Sequence, residues 1–120
     1  MQKPTNAELA ILRVLWAAGP STVRAVHEAV DTAGYTTTLK FMQIMYKKGL
    51  VTRNSDAKAH VYTAAISETD AEQGVMQDFV NRNFQGSAQK LVLSALSMKS
   101  STPEELAEIK ELIAKLEKDQ

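Results

Sequence analysis

The sequence predicts a mainly α fold with one small β-hairpin, followed by a helical region that pairs two copies of the chain. Three observations carry that expectation. Amphipathic runs bounded by cap and breaker residues fill positions 5–49. Two short β-propensity runs flank a polar stretch between positions 50 and 63. The last run spaces its apolar residues like the seam of a coiled coil.

The first helix opens on Thr5-Asn6-Ala7-Glu8, a capping box in which the threonine oxygen and the glutamate carboxylate serve each other's backbone N–H groups. Leu9, Leu12 and Trp16 follow at helical spacing, widened by Ile11 and Leu15, until Gly19-Pro20 ends the run. Ser21 or Thr22 caps a second helix that buries Val23, Val26 and Val30 and stops near Ala33-Gly34, where glycine suits a helix exit. The third helix runs from about Thr36 to Lys48, with Gly49 at its end. Its inward stripe is Thr38, Phe41, Met42 and Met45, which turns Thr36, Thr37, Lys40, Gln43 and Lys47 outward. Leu50–Arg53 and His60–Thr63, around the polar Asn54–Ala59, then read as a hairpin.

From Ser67 the chain turns helical again. Ala71, Val75, Phe79 and Val80 share a face up to Phe84-Gln85-Gly86. Ser87 caps a short apolar helix containing Ala88, Leu91, Val92, Ala95 and Leu96. Thr102-Pro103-Glu104-Glu105 combines a cap, a proline at the first helical position and a capping-box glutamate. In the helix it starts, Leu106, Ile109, Ile113 and Leu116 follow 3-4-3 spacing. The chain thus divides at position 66 into an N-terminal module, 1–66, and a helical dimerisation region, 67–120.

Three helices and a hairpin in that order make a winged helix-turn-helix. In such a module the third helix lies across the first two and offers its free face to the major groove, while the wing grazes phosphate. Thr36, Thr37, Lys40 and Gln43 suit the groove: hydroxyls and a methyl, a donor to guanine, and an amide that can pair with adenine. Thr22, Arg24, Arg53 and Lys58 suit phosphate from helix two and the wing. Each has a plainer reading. Thr36 or Thr37 caps helix three, Arg24 pairs with Glu28 one turn on, and the lysines are solvated surface charges. His27 and His60 are structural, since two histidines without an acid or cysteine cluster make no metal site.

Composition narrows the class. With 120 residues, 44% apolar and 23% charged, the chain has ordinary globular composition and no room for a large catalytic scaffold. It contains no cysteine, so disulfides and thiolate chemistry are excluded. No apolar run reaches the length of a membrane span, and Met1–Thr5 leads straight into a helical pattern, so a cytoplasmic protein without membrane insertion is expected. The net charge is zero, but it is unevenly placed. Residues 1–66 carry eight bases against four acids, net +4, and residues 67–120 carry six against ten, net −4. A polyanion facing the first half accounts for this, as does chance in a short chain. Neither a phosphate loop nor a Ser/His/Asp constellation nor a metal quartet is present, so no catalysis and no cofactor are expected.

The segments Pro4–Trp16, Gly19–Glu28, Gly34–Arg53, His60–Tyr62 and Phe84–Leu96, followed by an acidic last helix, resemble the BlaI/MecI penicillinase-repressor family of bacterial transcriptional regulators over nearly the whole chain. The resemblance implies a homodimeric repressor of a palindromic double-stranded DNA operator, of β-lactamase or related genes in antibiotic resistance. It puts Thr36, Thr37 and Lys40, then Gln43 and Ile44, on the recognition helix. Ile44 stands where some relatives carry a basic residue. Derepression in the family follows a membrane sensor-protease pathway that triggers cleavage in the first C-terminal helices. The best-known members have Asn-Phe at the place of Ser94-Ala95 here, a departure from their pattern. The copper-responsive branch uses C-terminal cysteines, which this chain lacks.

A dimer also follows from burial. Phe79, Val80, Leu91, Leu96, Ile109 and Ile113, with their apolar neighbours, are more than a few short helices can cover alone. The competing class is a winged-helix adaptor that binds protein instead of DNA.

Overall fold

The computed structural model describes residues 3–30, 34–54, 58–98 and 100–120. Among them the elements run α1 (Asn6–Ala18), β1 (Ser21–Thr22), α2 (Val23–Ala29), α3 (Tyr35–Lys48), β2 (Val51–Asn54), β3 (Val61–Ala64), α4 (Glu68–Asn83), α5 (Ala88–Met98) and α6 (Pro103–Lys118). They form two compact units, Met1–Phe79 and Val80–Gln120. The helix order and the mainly α class are as the sequence predicts.

Helix α1 starts where its capping box places it: the Glu8 N–H donates to Thr5 Oγ1 at 3.2 Å and the Thr5 N–H to Glu8 Oε1 at 2.9 Å. Leu9, Ile11, Leu12 and Leu15 are buried, while Trp16 stays half-buried because its indole N–H donates to the Ile66 carbonyl at 3.0 Å. Thr22 caps α2, accepting the Ala25 N–H at 3.1 Å. The helix is shorter than expected. It ends at Ala29, with Val30 already extended, and the expected exit at Ala33 lies outside the described residues. Gly34, read as that exit, is instead the N-cap of α3, with φ 176° and no side-chain cap.

Helix α3 buries Thr38, Met42 and Met45 against α1 and α2, with Phe41 half-buried at the margin of the stripe. It ends at Gly49, whose φ of 82° is the left-handed conformation that frees a helix exit from Cβ strain. The Leu50 N–H then reaches back to the Met45 carbonyl at 3.0 Å.

The hairpin is real but one residue later than expected on both strands, and it belongs to a three-stranded sheet. Strand β1 completes the order β1-β3-β2, all antiparallel, with Ser21 opposite Tyr62, and Arg53 opposite Tyr62 from the other side. Two residues are too few to show period-2 alternation, which is why β1 is invisible to pattern reading. Leu50, Val51, Tyr62 and Ile66 close the core beneath α1 and α3, and Ala71 of α4 joins them.

Among the described residues of this unit one ion pair is buried. Glu8, 2% exposed, accepts from Lys48 Nζ at 2.7 Å while its carboxylate still holds the Thr5 N–H. It ties the start of α1 to the end of α3.

In the second unit, α6 begins with the expected capping box, Glu105 N–H to Thr102 Oγ1 at 3.1 Å and Thr102 N–H to Glu105 Oε1 at 3.0 Å. Ser87 caps α5 through the Lys90 N–H. Neither α5 nor α6 has a buried residue. On α4 the expected common face divides: Ala71 and Val80 are buried, Val75 is half-buried, and Phe79 is 46% exposed. Among the described residues no helix is long and apolar enough to cross a membrane.

The Glu8–Lys48 pair gives a stability test. Lys48→Met should leave a buried carboxylate with only its cap bond and cost about 3 kcal/mol, at the lower edge of broken buried pairs because Lys48 is partly wet. Urea unfolding followed by the single tryptophan, Trp16, would show a lowered midpoint at unchanged slope; an unmoved midpoint would make the pair energetically idle.

Candidate nucleic-acid interface

The side of α3 opposite the Thr38-Met42-Met45 stripe is uncovered. Thr36, Thr37, Lys40, Gln43 and Lys47 are all exposed there, as the 3.6-residue period requires once the buried stripe is set. Because Gly34 occupies the N-cap, neither Thr36 nor Thr37 is spent as the N-cap residue.

The N-terminal end of α3 is held to α2 by a polar and aromatic cluster. Thr38 Oγ1, fully buried, donates to the Gly34 carbonyl at 3.3 Å and lies 3.2 Å from His27 Nδ1. The His27 ring meets Tyr35 edge-on, with centroids 5.9 Å apart. The exposed Arg24 lies with its guanidinium carbon 5.4 Å from the Tyr35 centroid. The exposed His60 has its Nδ1 3.1 Å from the Asn54 carbonyl oxygen.

At the other end, Arg53 of β2 stacks over Tyr46 of α3, its guanidinium carbon 4.1 Å from the ring centroid. Pattern reading singles out neither tyrosine, because each stacks on a residue from a different element and such pairs leave no periodic trace. Lys58 is exposed just past residues 55–57, which lie outside the described set. Thr22 is half-buried and its oxygen serves as the α2 cap, leaving the hydroxyl proton as its outward capability. Lys48, by contrast, is committed inward to Glu8. The outcome is a polar helical face with cations at both ends: Arg24 beside its start, Lys40 and Lys47 along it, Arg53 beside its finish.

The face is not uniformly polar. Thr36, Thr37, Lys40, Phe41 and Ile44 line a shallow hollow, and Ile44 is 41% exposed.

The residues expected at a dimer contact fall differently. Phe79, Leu96 and Ile113 are exposed, Leu91 and Ile109 are half-buried, and Val80 is already buried within its own chain. Ser94 and Ala95 are exposed in the middle of α5.

Three helices and a three-stranded wing, with the third helix bare on its polar side, define a winged helix-turn-helix protein. The comparisons agree. The sequence profile described as Penicillinase repressor matches residues 4–115, and the chain belongs to that family, a family of transcriptional repressors and not of enzymes. It is 21% identical over 114 residues to the methicillin resistance regulatory protein MecI of Mammaliicoccus sciuri, covering 92% of this chain and 93% of that one. It is 26% identical over 112 residues to the penicillinase repressor of Bacillus licheniformis, covering 91% and 88%. A solved MarR family protein from Bacillus stearothermophilus shares the fold at 19% identity, with a TM-score of 0.52 over 98% of this chain and 76% of that one.

Proposed function

We propose that this chain is a homodimeric repressor whose two α3 helices enter successive major grooves of a palindromic operator. The observation that supports it most directly is the bare polar face of α3, where Thr36, Thr37, Lys40 and Gln43 are exposed at helical spacing. Those four read base edges; Thr22 and Arg24 at the start of α2, and Arg53 and Lys58 of the wing, hold phosphates. Residues 1–66 do the reading and 67–120 the pairing. Two such modules on a two-fold axis meet half-sites roughly 34 Å apart, or a multiple of that spacing.

The second copy covers Phe79, Leu96 and Ile113, together with the exposed Val92, Leu93, Leu106, Leu112 and Leu116 of α5 and α6. Leu91 and Ile109, half-buried in the single chain, become fully buried, and Val80 backs the contact from within its own chain. The names of the relatives support β-lactamase or related resistance genes as targets. Derepression through a sensor-protease pathway then acts on α5 at Ser94–Ala95. A protease takes an extended strand, so that helix opens locally first. Losing one copy costs the high effective concentration of the second module, so any event that splits the dimer releases the operator.

Lys40 sits one turn into α3 and gives the sharpest test. Lys40→Ala should cost about 1–3 kcal/mol of operator affinity and relax sequence preference at one base pair; unchanged affinity and preference in a gel-shift titration would strike it from the reading set. Arg53→Ala should weaken all duplexes about equally and flatten the plot of log affinity against log salt by about one unit. A slope that stays put leaves Arg53 as a stacking partner of Tyr46 and nothing more. The same plot separates this reading from a protein-binding adaptor, for which random duplex DNA shows no salt-dependent binding. Ile109→Asp together with Ile113→Asp should give monomers in sedimentation; a surviving dimer places the contact elsewhere.

A further inference from the structure

The outer face of α3 carries one feature that donors and acceptors do not explain. Ile44, 41% exposed, and the half-buried Phe41 form the apolar side of a hollow whose rim is Thr36, Thr37 and Lys40. Phe41 is partly buried against the core, but Ile44 is outside that cluster. The hollow is therefore not a gap in the protein's own packing. It opens on the same side as Thr36 and Lys40.

Resting on the reading of α3 as the groove helix, we infer that this hollow receives the 5-methyl group of a thymine, and that Ile44, with Phe41, determines specificity for that base. The four bases differ sharply here. On the major-groove edge guanine presents two acceptors, adenine an acceptor and a donor, and cytosine a donor; thymine alone adds a methyl group. A polar edge pressed onto Ile44 and Phe41 loses its water and gains no hydrogen bond, which is costly. A methyl there loses only unfavourable hydration. The rim supplies the rest, because Lys40 and the two threonine hydroxyls can donate to thymine O4 or to an acceptor on the next pair. Charge complementarity selects a duplex as the occupant, since Lys40 and Lys47 stand exposed on this side of a net +4 half of the chain.

Deoxyuridine differs from thymidine only by the missing methyl, so the test alters the DNA and not the fold. Duplexes are first selected from a random pool with the full chain. Each thymine of the selected site is then replaced by deoxyuridine, one at a time, and affinity is measured by fluorescence anisotropy for the wild type and for Ile44→Ala. The wild type should lose about fourfold at one thymine in each half-site, the contribution of one buried methyl, and Ile44→Ala should be indifferent at that same position. Indifference of the wild type at every thymine overturns the inference. So does an equal loss in Ile44→Ala, which places the methyl elsewhere. A pool that yields no enriched duplex removes the repressor reading itself, and this inference with it.

Discussion

Helix α3 is gripped on one side and bare on the other, and the N-terminal unit is arranged around that asymmetry. Only Thr38, Met42 and Met45 are fully buried along its fourteen residues. A stripe so narrow fixes the axis poorly by itself. The two ends are accordingly pinned by polar contacts, Thr38 with His27 and Gly34 at the start and Lys48 with Glu8 at the finish. A buried ion pair is weak evidence for stability but defines geometry well, because few arrangements satisfy both charges. Here it joins the end of α3 to the start of α1, while the buried stripe decides which side chains face outward.

Much of this was legible in the sequence, for local reasons. Capping boxes at Thr5–Glu8 and Thr102–Glu105 depend on residues three apart and are met in the structure as written. The outward set on α3 follows from the period of its apolar positions. What escaped depends on partners far along the chain. Glu8 reads as half of a cap, and nothing near it announces Lys48 forty residues on. Gly34 looks like the end of α2, but α2 stops at Ala29 and the glycine starts α3 instead, which leaves both following threonines clear of the N-cap. Strand β1 is two residues long and borrows its conformation from pairing with β3. Phe79 and Val80 are adjacent, so on a helix they point about 100° apart, and here only Val80 falls within the buried side.

The second unit poses the opposite problem to the first. Its two complete helices carry apolar residues in amphipathic order, but none is buried in a single chain. Helical propensity and caps form such helices only marginally; burial of the apolar side provides most of the stability. A region built this way gains its stability from whatever covers its apolar side. Under the proposed dimer, assembly and folding are coupled in one equilibrium that depends on protein concentration.

The stack of Arg53 on Tyr46 joins the wing to the last turns of α3. A guanidinium resting on a ring has surrendered much of its rotamer freedom before any ligand arrives, so little remains to be lost on contact. The same stack links the wing to α3 through direct contact between Arg53 and Tyr46. Under the proposed function, wing and helix therefore approach a duplex as one unit.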